Sequence, residues 1–251
     1  MSERYDRQSF LGYDSQQRIE RAVVGVAGLG GGGSHAVQQL AHLGFKRFRI
    51  FDPDHVEESN LNRLVGAGAF DAVEKTPKAA VAERIIKGLQ PDAEIVIGGL
   101  WQDCLETMKE CHFVIGCLDS FLQRDQMERF CRRFLIAYVD IGMDVVIGSD
   151  DQPVAGGQVI ASLPGQPCMR CMGFLIDERL RREAEKYGDA GSRPQVVWIN
   201  GILASLAVGT VVDLLTDWSG NLKGALYLEL DGNRGTVKSV ASQRCQGECP
   251  H

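Results

Sequence analysis

Long apolar runs, a surplus of basic charge and internal repeats are all missing from this chain. Its most apolar stretch, Gly201 to Val212, is far short of the roughly 18 residues a bilayer-spanning helix needs, which predicts no membrane span. Lys and Arg number 27 against 33 Asp and Glu, a net charge of −6, so no broad basic surface is offered to a phosphate backbone and general nucleic-acid binding is disfavoured. The first residues, Met1-Ser2-Glu3-Arg4-Tyr5-Asp6-Arg7-Gln8, are charged and lack the apolar core of a secretory signal, so a reducing cytoplasm is the expected address. The five histidines show no metal-ligand spacing. No low-complexity tract or linker divides the 251 residues, a length that can bury one α/β core without staples.

What is plentiful is glycine, 29 residues, above the average share of roughly 7%. A cluster of them follows the apolar run Ala22 to Ala27, as Gly28-Leu29-Gly30-Gly31-Gly32-Gly33, and passes into Ser34 to Leu43 at helical spacing. Gly44 closes that helix, and Phe48 to Asp52 reads as a second buried strand ending in an acid. This is a βαβ unit. Further along, Pro77 opens a helix to Leu89, Ala93–Ile97 reads as a strand, Asp103–Glu110 as a helix and Phe113–Cys117 as a strand. Phe121–Phe134 then reads as a helix and Leu135–Asp140 as a short strand. After that the rhythm changes to antiparallel strands at Met143–Ile147 and Gln158–Ser162. Helices follow near Phe174–Lys186 and Val197–Leu215, then a hairpin of Ala225–Leu230 and Thr236–Val240 around Asp231-Gly232-Asn233. The expected class is α/β: a Rossmann-like, doubly wound, mainly parallel sheet over residues 22–142 that continues into antiparallel strands and helices over 143–251, the two halves sharing one core.

Gly28, Gly30 and Gly33 satisfy G-x-G-x-x-G in a strand-turn-helix setting, where unpaired N–H groups and the helix dipole favour a phosphate. Asp52, about 20 residues on, is placed to accept hydrogen bonds from ribose hydroxyls. NAD, FAD and ATP binders share these features. The later residues discriminate: Asn60 and Arg63 beyond the second strand, Lys78 at a helix start, and Asp119 past the strand that ends at Cys117 all fall at the sheet edge that carries the glycine turn. An amide, two cations and a metal-binding carboxylate suit phosphoryl or nucleotidyl transfer, in which charge builds on phosphate oxygens.

Taken in order, Arg4-Tyr5-Asp6-Arg7-Gln8, Gly28 to Gly33, Asp52-Pro53-Asp54, Ser59-Asn60-Leu61-Asn62-Arg63, Pro77-Lys78, Cys117-Leu118-Asp119 and Cys168-Met169-Arg170-Cys171 resemble the MoeB/ThiF/HesA-type adenylyltransferases, relatives of the adenylation domains of ubiquitin-activating enzymes. The resemblance runs nearly end to end and implies a single adenylation domain over 1–251. It implies ATP and magnesium as cofactors, Asp52 as ribose ligand with Asp54 beside it, and Gly30, Gly31 and Gly33 as the backbone a nucleotide approaches. Asn60, Arg63 and Lys78 become triphosphate contacts and Asp119 the magnesium-associated acid. Arg7 matches an arginine that reaches into the partner's nucleotide site in a homodimer. The implied reaction is adenylation of the C-terminal carboxylate of a small ubiquitin-like or sulfur-carrier protein. The alternatives are a peptide or a tRNA base as acceptor, a NAD-dependent oxidoreductase, or a non-catalytic adaptor on the same scaffold. Three departures stand out: Gly32 where the family commonly has Leu, Ser120 after Asp119 where Asn is usual, and a slightly longer spacing from Arg63 to Lys78. The loop before the long apolar helix, residues 188–195, carries no thiol to accept an acyl group, which favours adenylation without a thioester there.

Cys168-x-x-Cys171 and Cys245-x-x-x-Cys249 are two close pairs from distant segments, a pattern that suits a closed structural zinc site of four thiolates tying the tail to the second half; the resemblance agrees. Free thiols, or His251 in place of Cys249, remain alternatives. Cys104, Cys111, Cys117 and Cys131 read as small buried apolar residues. Trp101, Trp198 and Trp218 read as packing residues.

Overall fold

The computed structural model describes residues 3–147, 151–185, 194–221, 226–240 and 249. A 3₁₀ helix, Glu3–Leu11, and α1 (Ser15–Arg21) lead into β1 (Val23–Ala27), α2 (Gly31–Leu43) and β2 (Arg47–Phe51). Then come α3 (Ala69–Val73), α4 (Lys78–Leu89), β3 (Glu94–Gly98), α5 (Leu105–Met108), β4 (Phe113–Gly116) and α6 (Phe121–Arg133). The second half holds β5 (Ala137–Ile147), β6 (Pro153–Ser162), α7 (Asp177–Glu185), α8 (Val197–Thr216), β7 (Leu226–Asp231) and β8 (Thr236–Ser239).

All eight strands form one sheet in the order β3-β2-β1-β4-β5-β6-β7-β8. The first five run parallel, and β5 to β8 pair antiparallel. β1 is apolar throughout and β2 is buried from Phe48 to Phe51, with Arg49 paired to Glu94 and Glu110, because helices cover both faces there. One face carries α2, α4 and α8, whose Leu40, Ile86 and Leu203 pack with Val24, Val26 and Ile50 of the sheet. The other carries α5, α6 and the segment around Cys168, with Met108, Met127 and Met169 against Val23, Val114 and Tyr138. The strand order reverses direction between β1 and β4, so the loops leaving their carboxyl ends part and leave a crevice.

The structure revises several boundaries. Leu135–Asp140 and Met143–Ile147 are not two strands; β5 is one strand of 11 residues, parallel to β4 from Ala137 to Asp140 and antiparallel to β6 from Tyr138 to Ile147. The reason is that β6, starting at Pro153, is twice the expected length and offers partners throughout. The expected helix 103–110 is broken into a 3₁₀ turn, Trp101–Asp103, and the single turn of α5, because Cys104 leaves helical geometry (φ −120°, ψ 34°). α8 spans 20 residues, longer than the apolar run read from sequence, and by length and composition alone it could cross a membrane. Its Ile199, Leu203, Ala207 and Val211 are instead buried in the core against α2, β5 and β6.

Candidate nucleotide cleft

The glycine turn follows β1 directly, and α2 begins at Gly31, so the first N–H groups of a 13-residue helix face the crevice. The glycines divide the work. Gly28 has a positive φ of 85°, which sets the sharp exit from β1. A Cβ on Gly33 would overlap the carbonyl oxygen of Gly28, so this glycine lets the helix seat against the strand end and does not line the cleft. At Gly30 an added Cβ would meet no protein atom within 4 Å; the space above it is open to a ligand.

Around this turn lies a cleft of about 300 Å³, the size of a small-molecule site. Gly28, Gly30, Gly31, Asp52, Asp54, Asn60, Arg63, Lys78 and Asp119 all line it, although the chain spreads them over nearly a hundred positions. Arg7 does not: it is exposed on the 3₁₀ helix Glu3–Leu11.

Each lining group is held by local bonds. Asp52 is buried at the end of β2; its Oδ2 accepts the Leu29 N–H (2.5 Å) and its Oδ1 the Asp54 N–H (2.8 Å), which fixes the carboxylate toward the glycine turn. Burial pushes its pKa up, opposed by the Lys78 cation and those two N–H groups. Lys78 donates from Nζ to Asp54 Oδ2 at 2.9 Å, and its own N–H donates to the Asp54 carbonyl at 2.9 Å, so the start of α4 is tied to the loop after β2. Asn60 Oδ1 accepts the Glu57 N–H (3.1 Å), and Arg63 Nη1 donates to the Ser59 carbonyl (2.7 Å) and Asn62 Oδ1 (2.9 Å). Asp119 is exposed at the mouth, one residue before Ser120, whose Oγ accepts the Gln123 N–H and caps α6.

Sequence reasoning missed the floor. Arg124 lines the cleft yet is buried, donating from Nη1 to Asp140 Oδ2 (2.9 Å) and from Nε to the Leu118 carbonyl (2.8 Å). Asp140 is fully buried; Tyr138 donates its hydroxyl proton to Oδ1 at 2.9 Å. Burial raises the pKa of Asp140, and Arg124 and Tyr138 oppose the rise. Gln158, its amide oxygen turned to Arg124, accepts at 2.7 Å and donates to the Gly142 carbonyl at 3.2 Å. A side chain at Gly142 would collide with both Arg124 and Gln158. The available signal was the acid that closes the apolar run Leu135–Asp140: it lies within β5 at the last residue paired with β4, much as Asp52 stands after β2. Asn200, from α8, and Trp101 also line the cleft; Trp101 packs edge-on to Phe130 as well.

Outside the cleft, Cys168, Cys171 and Cys249 lie together, with Sγ atoms 3.4, 3.6 and 3.7 Å apart. Cys245, His251 and residues 188–193 of the loop expected to lack a thiol fall outside the described residues. Cys111 and Cys131 are buried, whereas Cys104 and Cys117 are half-buried.

Comparison with known proteins gives a consistent result. The family model described as ThiF family matches residues 4–251. The vegetative HesA protein of Trichormus variabilis is 27% identical over 231 residues, covering 89% of this chain and 80% of that protein. The molybdopterin-synthase adenylyltransferase of Escherichia coli K12 is 26% identical, covering 90% and 86%. The sulfur carrier protein ThiS adenylyltransferase of the same strain is 26% identical, covering 98% and 93%. Among solved structures, E. coli MccB with ATP superposes with a TM-score of 0.77 at 19% identity over 98% of this chain and 74% of that one, a likeness of fold.

Proposed function

The chain belongs to the ThiF family and is an adenylyltransferase of the ThiF/MoeB type, and from that premise we propose that it transfers AMP from ATP to the C-terminal carboxylate of a small ubiquitin-like or sulfur-carrier protein. A carboxylate oxygen attacks the α-phosphorus, a carboxylate–phosphorus bond forms, the bond from the α-phosphorus to the bridging oxygen breaks, and pyrophosphate leaves. The nucleophile is already ionised near neutral pH, so no protein base is required and catalysis rests on positioning and charge.

The observation that carries this reading is the gathering of Asp52, Asn60, Arg63, Lys78 and Asp119 around the N-terminus of α2 in one cleft. Asp52 holds the ribose through the lone pairs its backbone donors leave unused. Gly30 admits the phosphates to the helix N-terminus, Gly31 lets Asn200 pack against it at the cleft wall, and Gly33 supports the turn from behind. Asn60, Arg63 and Lys78 take charge developing toward pyrophosphate; Lys78 must release Asp54 to do so. Asp119, an exposed carboxylate at the mouth, is the group fitted to hold a magnesium ion, which supplies charge neutralisation on phosphate oxygens. Arg7 would act from a second copy in a homodimer. A hydride-transfer site fits less well, since no histidine or tyrosine is among the described residues lining the cleft.

The three described sulfurs suit a structural zinc. Zinc–thiolate bonds of about 2.3 Å set a tetrahedral edge of about 3.8 Å, close to the separations of Cys168, Cys171 and Cys249. Cys245 would be the fourth ligand.

The test is carrier-dependent ATP–pyrophosphate exchange. Purified protein with ATP, magnesium and a panel of Gly-Gly-ended carriers should exchange label with at least one, and Arg63→Ala should abolish it. Exchange with none of them, or exchange indifferent to Arg63→Ala, overturns the reading.

A further inference from the structure

The cysteine cluster and the nucleotide cleft share one helix. α6 begins at the cleft, where Ser120, Gln123 and Arg124 line the wall. One residue beyond Arg124, the buried Asp125 accepts Arg170 Nε on Oδ1 at 3.0 Å, while Arg129 Nε donates to Oδ2 at 2.8 Å. One turn beyond Arg124, the fully buried Glu128 accepts the N–H of Met169 at 2.7 Å. Met169 and Arg170 are the two residues between Cys168 and Cys171. Two carboxylates of the cleft helix thus grip the cysteine turn by its backbone and by its side chain.

We propose that Asp125 and Glu128 are positioning residues that couple the cysteine turn to the ATP cleft, so that metal held by the cysteines fixes α6 and raises affinity for ATP. This rests on the nucleotide reading of the cleft given above. A turn of four residues keeps its shape when its two thiolates share a metal and relaxes when they do not. Relaxation moves the Met169 N–H and the Arg170 guanidinium. Glu128 and Asp125 must then follow on a helix whose neighbouring side chain, Arg124, is bonded to Asp140 in the cleft floor. Neither carboxylate lines the cleft, so their grip on the cysteine turn reaches it through α6.

Coupling is reciprocal, which gives two independent measurements. Removing zinc from the full chain with a chelator should weaken ATP binding by about 5-fold or more, and saturating ATP should slow zinc release from the loaded protein by a similar factor. Glu128→Ala and Asp125→Ala should still bind zinc, because the thiolates are intact, but should bind ATP more weakly and bring both ratios close to one. Glu128→Gln keeps an acceptor oxygen for Met169 and should restore them. If Glu128→Ala does not fold, Arg170→Gln removes the Asp125 grip from the side of the cysteine turn. If stripping zinc unfolds the chain, the release rate with and without ATP decides alone. A zinc-loaded wild type whose release ignores ATP, or variants that keep the wild-type ratio, would overturn the proposal. Carrier adenylation is judged separately: exchange with a ratio of one sinks only the coupling, coupling without exchange sinks only the carrier reading, and no ATP binding sinks both.

Discussion

The cleft has a rim and a floor built on opposite principles. On the rim, Lys78, with 12% of its side chain exposed, pairs with Asp54, whose side chain is 65% exposed, and Arg63 bonds the loop it stands on. These bonds cost little to exchange for phosphate, because the acceptors are open to water, and ion pairs of that kind contribute about 0–1 kcal/mol. On the floor, Arg124 meets a carboxylate with no solvent exposure, and Tyr138 and Gln158 complete the set. Taking away one member there leaves a buried charge without its partner. The rim is therefore available to a ligand and the floor is committed to the fold.

The largest expected effect comes from breaking the floor. Arg124→Ala should cost about 3–5 kcal/mol of stability, read from urea unfolding, because Asp140 is left charged or protonated in an apolar layer. A loss under about 1 kcal/mol would move Arg124 to the rim class. Lys78→Ala is the converse. Exchange should fall about 10²–10³-fold, the typical loss for one preorganised charge, while the unfolding free energy stays within about 0.5 kcal/mol. Should stability drop along with rate, the Lys78–Asp54 pair is structural and the contrast fails.

The glycine turn sharpens the same contrast within six residues. Gly33→Ala sets a methyl group against the Gly28 carbonyl and should destabilise by about 1–3 kcal/mol, as overpacking does. Gly30→Ala meets no protein atom, so stability should hold while ATP affinity drops. Calorimetry on the pair, once for unfolding and once for ATP titration, separates the two roles; equal losses of stability would merge them.

Rim and floor were also unequally legible in the sequence. Rim residues sit at the ends of elements, and element ends carry local signatures: a glycine run after an apolar strand, Asp52 after another, Pro77 before Lys78. On the floor only Asp140 carries a local mark, the acid that closes the apolar run Leu135–Asp140. Arg124 is one of four arginines in α6, and its partner is 16 positions away on β5, a strand longer than its apolar run because β6 pairs with it from Pro153 onward. The grip of Glu128 on Met169 spans 41 positions and uses a backbone N–H, which leaves no trace in residue types. Cys168 and Cys171, by contrast, follow from spacing, because a CxxC turn brings its two thiols together whatever the rest of the chain does, and Cys249 joins them from 78 positions away.

The smallest expected effect belongs to a pair outside the cleft, and it serves as the control for both classes. Asp71 caps α3 by accepting the Gly68 N–H at 2.8 Å and binds Arg84 through both oxygens. Those donors lower its pKa from 3.8 to about 2. A carboxylate lowered on folding adds stability that is complete above its unfolded pKa and is lost as pH falls through the folded one. The contribution should therefore be flat above about pH 4 and vanish toward pH 2. Asp71→Asn keeps an acceptor for the Gly68 N–H but loses the charge facing Arg84, and should cost about 0.5–1 kcal/mol at neutral pH, the value of a half-exposed ion pair. Melting temperatures of wild type and variant should converge on acidification. Convergence on raising the pH instead would mean that Arg84 and Gly68 do not stabilise the ionised carboxylate, and that the rim pairs judged by the same reasoning need a different account.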